Sequence, residues 1–305
     1  MGRDMKNSKD LRREIAFSVS GAKHYENEYY KNSPGSFAML SVTGTKCDCR
    51  CAHCGGIILR GMPAAETNEK FISLVDRLTG KGCAGILVSG GSDTAGAMPV
   101  CSVIDGIVHA KKRGLKVIVH TGLVDKKTAR ALKEAQVDQV LTDVIGDVNT
   151  IRNVCGINKT PDDYLQSLLH CKEAELETVP HLVVGLNYGR VTGEFNAIDI
   201  IRRADAEVLV LVVLTPKRGT AMQSVKAPAL DDVLSVFRYA ADNFSGKGIT
   251  LGCMRPHQYS PDLEKAAVDL GFAAIAYPHA ETIRYARSLS IRSVFFEQCC
   301  SLVSI

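Results

Sequence analysis

Phe37-Ala38-Met39-Leu40-Ser41-Val42, an apolar run of strand type, leads through Thr43-Gly44-Thr45-Lys46 into Cys47-Asp48-Cys49-Arg50-Cys51-Ala52-His53-Cys54. The run reads as a strand and the cysteines as a loop at its carboxyl end. Cys47, Cys51 and Cys54 follow the spacing C-x3-C-x2-C. A loop this short can wrap three thiolates around one cluster of iron and sulfur. One iron is then left without a protein ligand, and an open coordination position is where a metal centre does chemistry rather than bracing. Thiolates suit iron because they are soft anions, and Lys46 and Arg50 beside them favour the deprotonated form. The competing reading is a structural zinc site with Cys49 as fourth ligand. Four cysteines packed so closely would strain a tetrahedron, and zinc sites more often join two separated short motifs.

Outward from that stretch, apolar runs alternate with amphipathic helical patterns along the chain. Further strand candidates are 85–89, 116–120, 139–142, 179–184, 208–214, 249–251 and 272–276. Helix candidates fall between them, near 66–80, 101–114, 125–136, 160–175, 194–204, 229–244, 261–270 and 280–288. Continuous apolar strands alternating with helices predict a parallel sheet buried on both faces. The expected fold class is α/β, a (β/α)8 TIM-like barrel or a partial version of it. Thr160-Pro161-Asp162-Asp163 and Ser260-Pro261-Asp262 each set a hydroxyl before proline and acidic first-turn residues, as helix starts do. No linker, repeat or low-complexity tract divides the chain, so one domain is expected. A helical or irregular lead-in would cover 1–36, with Tyr25, Tyr29 and Tyr30 packed on the barrel; the barrel would cover 37–290 and a tail 291–305.

In such barrels the chemistry lies at the carboxyl ends of the strands. The sequence places there the cysteine loop, Ser89-Gly90-Gly91-Ser92-Asp93, His120-Thr121-Gly122, Asp143, Gly185 with Asn187 and Tyr188, Thr215-Pro216-Lys217-Arg218 and Cys253-Met254-Arg255-Pro256. This is a polar rim on an apolar scaffold.

The bulk numbers exclude several classes. With 46% hydrophobic and 23% charged residues, the 305-residue chain has globular composition. A net charge of +4, spread along the sequence, gives no electrostatic case for nucleic acid or membrane binding. Met1 to Arg13 is charged and polar without the apolar core of a signal peptide, and no stretch reaches transmembrane length, so a soluble cytoplasmic protein is expected. Eleven cysteines, an odd number, are many for a reducing compartment, which favours metal or cluster ligation over a disulfide framework.

The C-x3-C-x2-C loop after the first barrel strand, with His53 in the place of the aromatic residue before the last cysteine, resembles the signature of the radical SAM superfamily. The resemblance implies a [4Fe–4S] cluster on Cys47, Cys51 and Cys54. The open iron would hold S-adenosylmethionine, and one electron from a donor would cleave it to a 5′-deoxyadenosyl radical. It further implies that the backbone of Gly90-Gly91 meets the methionine amine, where glycine permits close approach. The family often has Glu after that pair, where this chain has Ser92-Asp93. Asp143 matches a polar residue near the ribose, with a helix cap or ion pair as the plain alternative. Val184-Gly185-Leu186 matches a segment bordering adenine, with tight packing as the alternative. Arg152 could meet the cofactor's carboxylate or lie on the surface.

Val119 to Asp125, Asp143 to Asp147, Pro180 to Gly185 and Leu251 to Pro256 together look like the biotin-synthase-like branch. The resemblance there is to the smaller subunit of the two-protein, archaeal-type lipoyl synthase. This implies sulfur insertion into an octanoyl chain on a lysine of a lipoyl carrier protein or peptide, with a companion radical SAM subunit treating the other carbon. Sulfur would come from a second iron–sulfur cluster. Cys253 is the foremost candidate for an auxiliary ligand, with Arg255 near it and Cys299, Cys300 and Cys49 as further candidates. Cys83, Cys101, Cys155 and Cys171, at helix ends or on helices, read as small apolar residues. His120 and His181 either touch substrate or are satisfied core residues, the core reading being preferred for His181. Lys217 and Arg218 either hold an acidic group or are solvated. The alternatives are another biotin-synthase-like enzyme, doing methylation, rearrangement or cofactor assembly, and a non-enzymatic iron–sulfur electron carrier or zinc-stabilised module.

Overall fold

A computed structural model describes residues 14–302. The first thirteen residues of the expected lead-in and the last three of the expected tail lie outside that range. The apolar runs form strands β1 (Glu14–Ser18), β2 (Phe37–Ser41), β3 (Gly85–Ser89), β4 (Lys116–Thr121), β5 (Gln139–Asp143), β6 (Thr178–Val184), β7 (Val208–Val213), β8 (Gly248–Leu251), β9 (Ala274–Ala276) and β10 (Arg292–Phe296). They make one parallel sheet in the order β10-β1-β9-β8-β7-β6-β5-β4-β3-β2, curled into a half-barrel of a single α/β domain. The order does not close on itself, so the partial form of the barrel is the one adopted. At the β2 end, Pro63 and Ala65 hydrogen-bond Ser41 and shield part of the edge.

Helices cover the outer face. β7 shows why the strands are continuous apolar runs: all six of its residues are buried, half against helices and half toward the inside. The inner core gathers Phe37, Ile118, Leu141, Val179, Val208, Val210 and Val212. Each such burial stabilises by about 1.5–3 kcal/mol relative to exposure. The helix Pro161–Glu173 starts with the expected capping box between Thr160 and Asp163. At the other expected start the hydroxyl is used differently: Ser260 Oγ donates to Glu264 Oε1 at 2.7 Å, and the helix Asp262–Asp269 begins without a side-chain cap.

Two elements depart from expectation. The lead-in is not helical or irregular throughout: Glu14–Ser18 is a strand lying between β9 and β10. The tail also contains a strand, Arg292–Phe296, which pairs along the whole of β1. The tyrosines pack as expected. Tyr30 stacks on Phe295 at 4.6 Å, Tyr25 donates to the Pro278 carbonyl at 2.8 Å, and Arg287 lies over the Tyr29 ring. Beyond β10 the chain folds back inside: Ser18 Oγ donates to the Gln298 carbonyl, Gln139 Nε2 to the Ser301 carbonyl, and Cys300 joins the inner core. Among the described residues no helix is long and apolar enough to cross a membrane.

Candidate active site

The cysteine loop leaves β2 and is strapped down on both sides. The amide of Asp48 donates to the Ser92 carbonyl at 2.9 Å, fixing the loop to the turn after β3. The amide of Ala52 donates to the Val154 carbonyl at 2.7 Å, fixing it to the segment after β5. Turn bonds from Cys54 and Gly55 to the Cys51 carbonyl close the second half. Gly91 explains how the first strap forms. A Cβ there would stand 2.0 Å from the Lys46 carbonyl and 2.5 Å from Cys47 Cβ, so only glycine lets Cys47 come this close. The Gly91 amide is itself occupied, donating to Thr43 Oγ1 at 2.7 Å.

Cys47, Cys51 and Cys54 all line one open cleft at the carboxyl ends of the strands. His53, Gly90, Gly91, His120 and Asp143 line it too. The cleft offers ≈ 190 Å³ to water-sized groups and opens to solvent at its mouth. Cys51 touches Cys49, Cys54 and Cys155, and this shifts the acidity of those four thiols. The Cys51 thiol gives hydrogen bonds to its neighbours and is pushed up. Cys54, which accepts from Cys51 and is bonded by His53, is pulled down to about 4 despite its burial. Burial alone would lower His53; its bond to Cys54 and the surrounding negative charge raise it instead. Cys49 points its thiol at the Asp93 carbonyl, 2.9 Å away, on the rim.

Asp143 ends β5 with its carboxylate 3.7 Å from His120 Nε2. Its surroundings oppose a charge, but the positive charge of His120 beside it outweighs them and holds the carboxyl at about 2. His120 is correspondingly raised: burial opposes its protonation, and Asp143 prevails. His181 lies tilted against His120, 5.3 Å between ring centres, and burial, reinforced by His120, drives it down to about 4. The cleft thus holds an ionised carboxylate beside thiols readily made thiolate.

The radical SAM superfamily model matches residues 41–190, from the end of β2 to just past β6. The chain carries a radical SAM domain. In fold the protein is similar to methylornithine synthase PylB, at 14% identity and a TM-score of 0.56 over 79% of this chain and 71% of that one. It is also similar to HydG, a maturase of the [FeFe]-hydrogenase, at 14% identity and 0.61 over 87% and 57%. SuiB of Streptococcus suis, solved with S-adenosylmethionine bound, gives 14% identity and 0.56 over 74% and 52%. The chain spans little more than half the length of HydG and SuiB. No curated protein matches it in sequence.

A radical SAM domain implies a [4Fe–4S] cluster and S-adenosylmethionine, and the residues present fit them. Three thiols from one short loop face one cleft, and His53 Nδ1 is buried there without a hydrogen-bond partner. Among the described residues no three His, Cys, Asp or Glu side chains converge as a single metal ion would require; a four-iron cube spreads its thiolates more widely than one zinc ion does.

Other expected residues fall elsewhere. Gly185 does not line the cleft. Its φ is +78°, the space of its missing Cβ is filled by Pro228, and its amide donates to Glu194 Oε1 at 2.7 Å, so tight packing accounts for it. Its neighbours Val183 and Leu186 do form the wall. Arg152 is exposed and outside the cleft. Arg255 is no ligand: its guanidinium is held by Glu264 at 2.7 Å and by the carbonyls of Gly252, Ala276 and Tyr277. Cys253 lies apart from the cysteine loop, in a separate cleft with Lys23 and Tyr277. It faces Cys299 and Cys300, which hydrogen-bond each other. Cys155, read as a core residue, is buried in the core and in addition reaches Cys51 and borders the cleft, which Tyr164 lines as well. The usable signal was its place in the segment after β5, on the side of the sheet that carries the rim.

Proposed function

We propose that the chain is a radical S-adenosylmethionine enzyme whose Cys47, Cys51 and Cys54 hold the [4Fe–4S] cluster. The observation that carries this reading is the convergence of those three thiols on one cleft with Gly90, Gly91 and Asp143. When bound, the cluster and S-adenosylmethionine supply a 5′-deoxyadenosyl radical. Gly91 admits Cys47 to its place, and His53 stabilises the Cys54 thiolate. Asp143, kept ionised by His120, accepts hydrogen bonds from the ribose hydroxyls. Apolar Leu59, Leu123, Val183 and Leu186 line the cleft and keep stray hydrogen donors from the radical.

The substrate reading is sulfur insertion into a protein-bound octanoyl chain, with a companion radical SAM subunit, a lipoyl carrier protein or octanoyl-lysine peptide, and an external electron donor. Supporting it is the proximity of Cys253, Cys299 and Cys300, thiols of the kind a second iron–sulfur cluster would need as ligands if it served as sulfur source. Cys299 is drawn down to about 6, chiefly by the Cys300 hydrogen bond. The test is anaerobic reconstitution with reductant, S-adenosylmethionine, octanoyl-lysine peptide and candidate partner. The expected products are 5′-deoxyadenosine and a peptide heavier by inserted sulfur. Deoxyadenosine without peptide modification would discard the lipoyl reading and leave the radical chemistry. Deoxyadenosine from a protein with all three loop cysteines replaced by alanine would discard both.

A further inference from the structure

Beyond the four cysteines of the loop, one more thiol reaches the same sulfur group from a distant segment. After β5 the chain makes a short helical turn, Val148–Thr150, which widens into a π-type turn over Ile151–Cys155 and stops at Gly156 with φ 70°. Such widened turns recur where a chain must aim a residue at a functional site. This one is anchored to the cysteine loop by the Ala52 amide on the Val154 carbonyl, and Cys51 Sγ stands 3.8 Å from the Cys155 carbonyl. The Cys155 side chain is only 8% exposed, and its thiol is within hydrogen-bonding reach of Cys51 Sγ. Cys49, on the rim, also reaches Cys51 but gives its thiol to the Asp93 carbonyl, so Cys155 is the buried sulfur neighbour from outside the loop.

We propose that Cys155 is a positioning residue for the cluster: its S–H donates a hydrogen bond to the Cys51 thiolate and raises the cluster's reduction potential. This rests on the reading that Cys51 ligates iron. A ligating Cys51 is a thiolate and accepts hydrogen bonds, and Cys155 is a buried neighbour placed to donate one. Reduction adds negative charge that spreads onto the ligating sulfurs. A donor aimed at one of them stabilises the reduced form more than the oxidised one. Burial strengthens the bond by keeping water from competing for the sulfur.

The test uses the full chain reconstituted anaerobically without S-adenosylmethionine: parent, Cys155→Ala and Cys155→Ser. Iron and sulfide per chain are counted, and the reduced cluster is followed by electron paramagnetic resonance in a redox titration. All three proteins are expected to hold equal iron. Poised at the parent's midpoint, Cys155→Ala should show a reduced-to-oxidised ratio lower by about two- to tenfold, the span of a single neutral hydrogen bond; tenfold corresponds to about 59 mV for one electron. Cys155→Ser, whose hydroxyl still donates, should restore the parental midpoint or exceed it. An unchanged midpoint in Cys155→Ala overturns the proposal. Loss of iron in both variants also overturns it, since Cys155 would then be a ligand or a brace. A parent chain that takes up no iron defeats the radical SAM reading itself, and is recognised before any variant is compared.

Discussion

Gly91 and His181 show how single positions shape the cleft. An added methyl at Gly91 would meet the Lys46 carbonyl and Cys47 head-on, both of them backbone or near it, so the cysteine loop itself must shift. Gly91→Ala is expected to lose most reconstituted iron and to cost about 1–3 kcal/mol in urea unfolding. Gly61→Ala is the control, with nothing within 4 Å of the added carbon, and should match the parent in both measurements. His181 gives a pH signature. Its folded pKa, about 4, lies below the ordinary 6.5, so below pH 6.5 the unfolded chain takes up a proton that the folded chain refuses. Stability of the iron-free protein therefore falls as pH drops from 6.5 to 4. His181→Gln should remove that part of the slope in urea midpoints measured at pH 7, 5.5 and 4.5. An unaltered slope would mean that His181 is not held neutral. His120, raised by Asp143, works in the opposite sense: its contribution is complete below 6.5 and fades as pH rises through its elevated folded value.

At the scale of elements, Glu264 ties together three segments that local pattern alone would leave independent. From the helix Asp262–Asp269 it accepts from Arg255 after β8, from Ser260, and from the His279 amide and Thr282 hydroxyl at the start of the helix Ala280–Ser288. Its side chain is 1% exposed and that of Arg255 7%. Glu264→Ala would strand a buried guanidinium and an unpaired amide, at an expected cost of about 3–5 kcal/mol by urea unfolding. A loss under 1 kcal/mol would show that water or a shifted Arg255 replaces the carboxylate. Such ties are opaque to sequence reading because Ser260 and Arg255 each have a simpler local role available, a cap and a rim ligand. What was legible was repetitive or local. The apolar runs from Phe37 to Ala276, the helices between them, the Thr160 capping box and the C-x3-C-x2-C spacing each carry their signal within a few neighbouring residues. Gly185 and Cys155 do not. Whether the one borders a ligand or Pro228, and the other a core or Cys51, is decided by segments distant in sequence.

For the molecule as a whole, the least legible feature is also a structural keystone. Glu14-Ile15-Ala16-Phe17-Ser18 is too short to announce itself, and nothing local tells that it enters the sheet between β9 and β10. Once there, it supplies the inner partner without which β10 would have no neighbour. Ile15 and Phe17 join the outer core, and Phe17 meets Phe295 of β10 at 5.4 Å between ring centres. The backbone of β10 in turn leads Cys299 and Cys300 into the half-barrel, so β1 indirectly places the second thiol group. The cysteine loop lies at the other end of the strand order, on β2 and β3. Phe17→Ala therefore separates the two regions. It should cost about 3–5 kcal/mol, the range for deleting a fully buried aromatic side chain, and should raise the reactivity of Cys299 and Cys300 toward a thiol reagent under native conditions. Cys83 and Cys171, buried in the opposite half, should stay protected, and iron uptake at the cysteine loop should stay at the parental level. A cost near zero would mean that β1 is only a lead-in resting on the barrel, and equal exposure of all four thiols would mean that the two halves unfold as one.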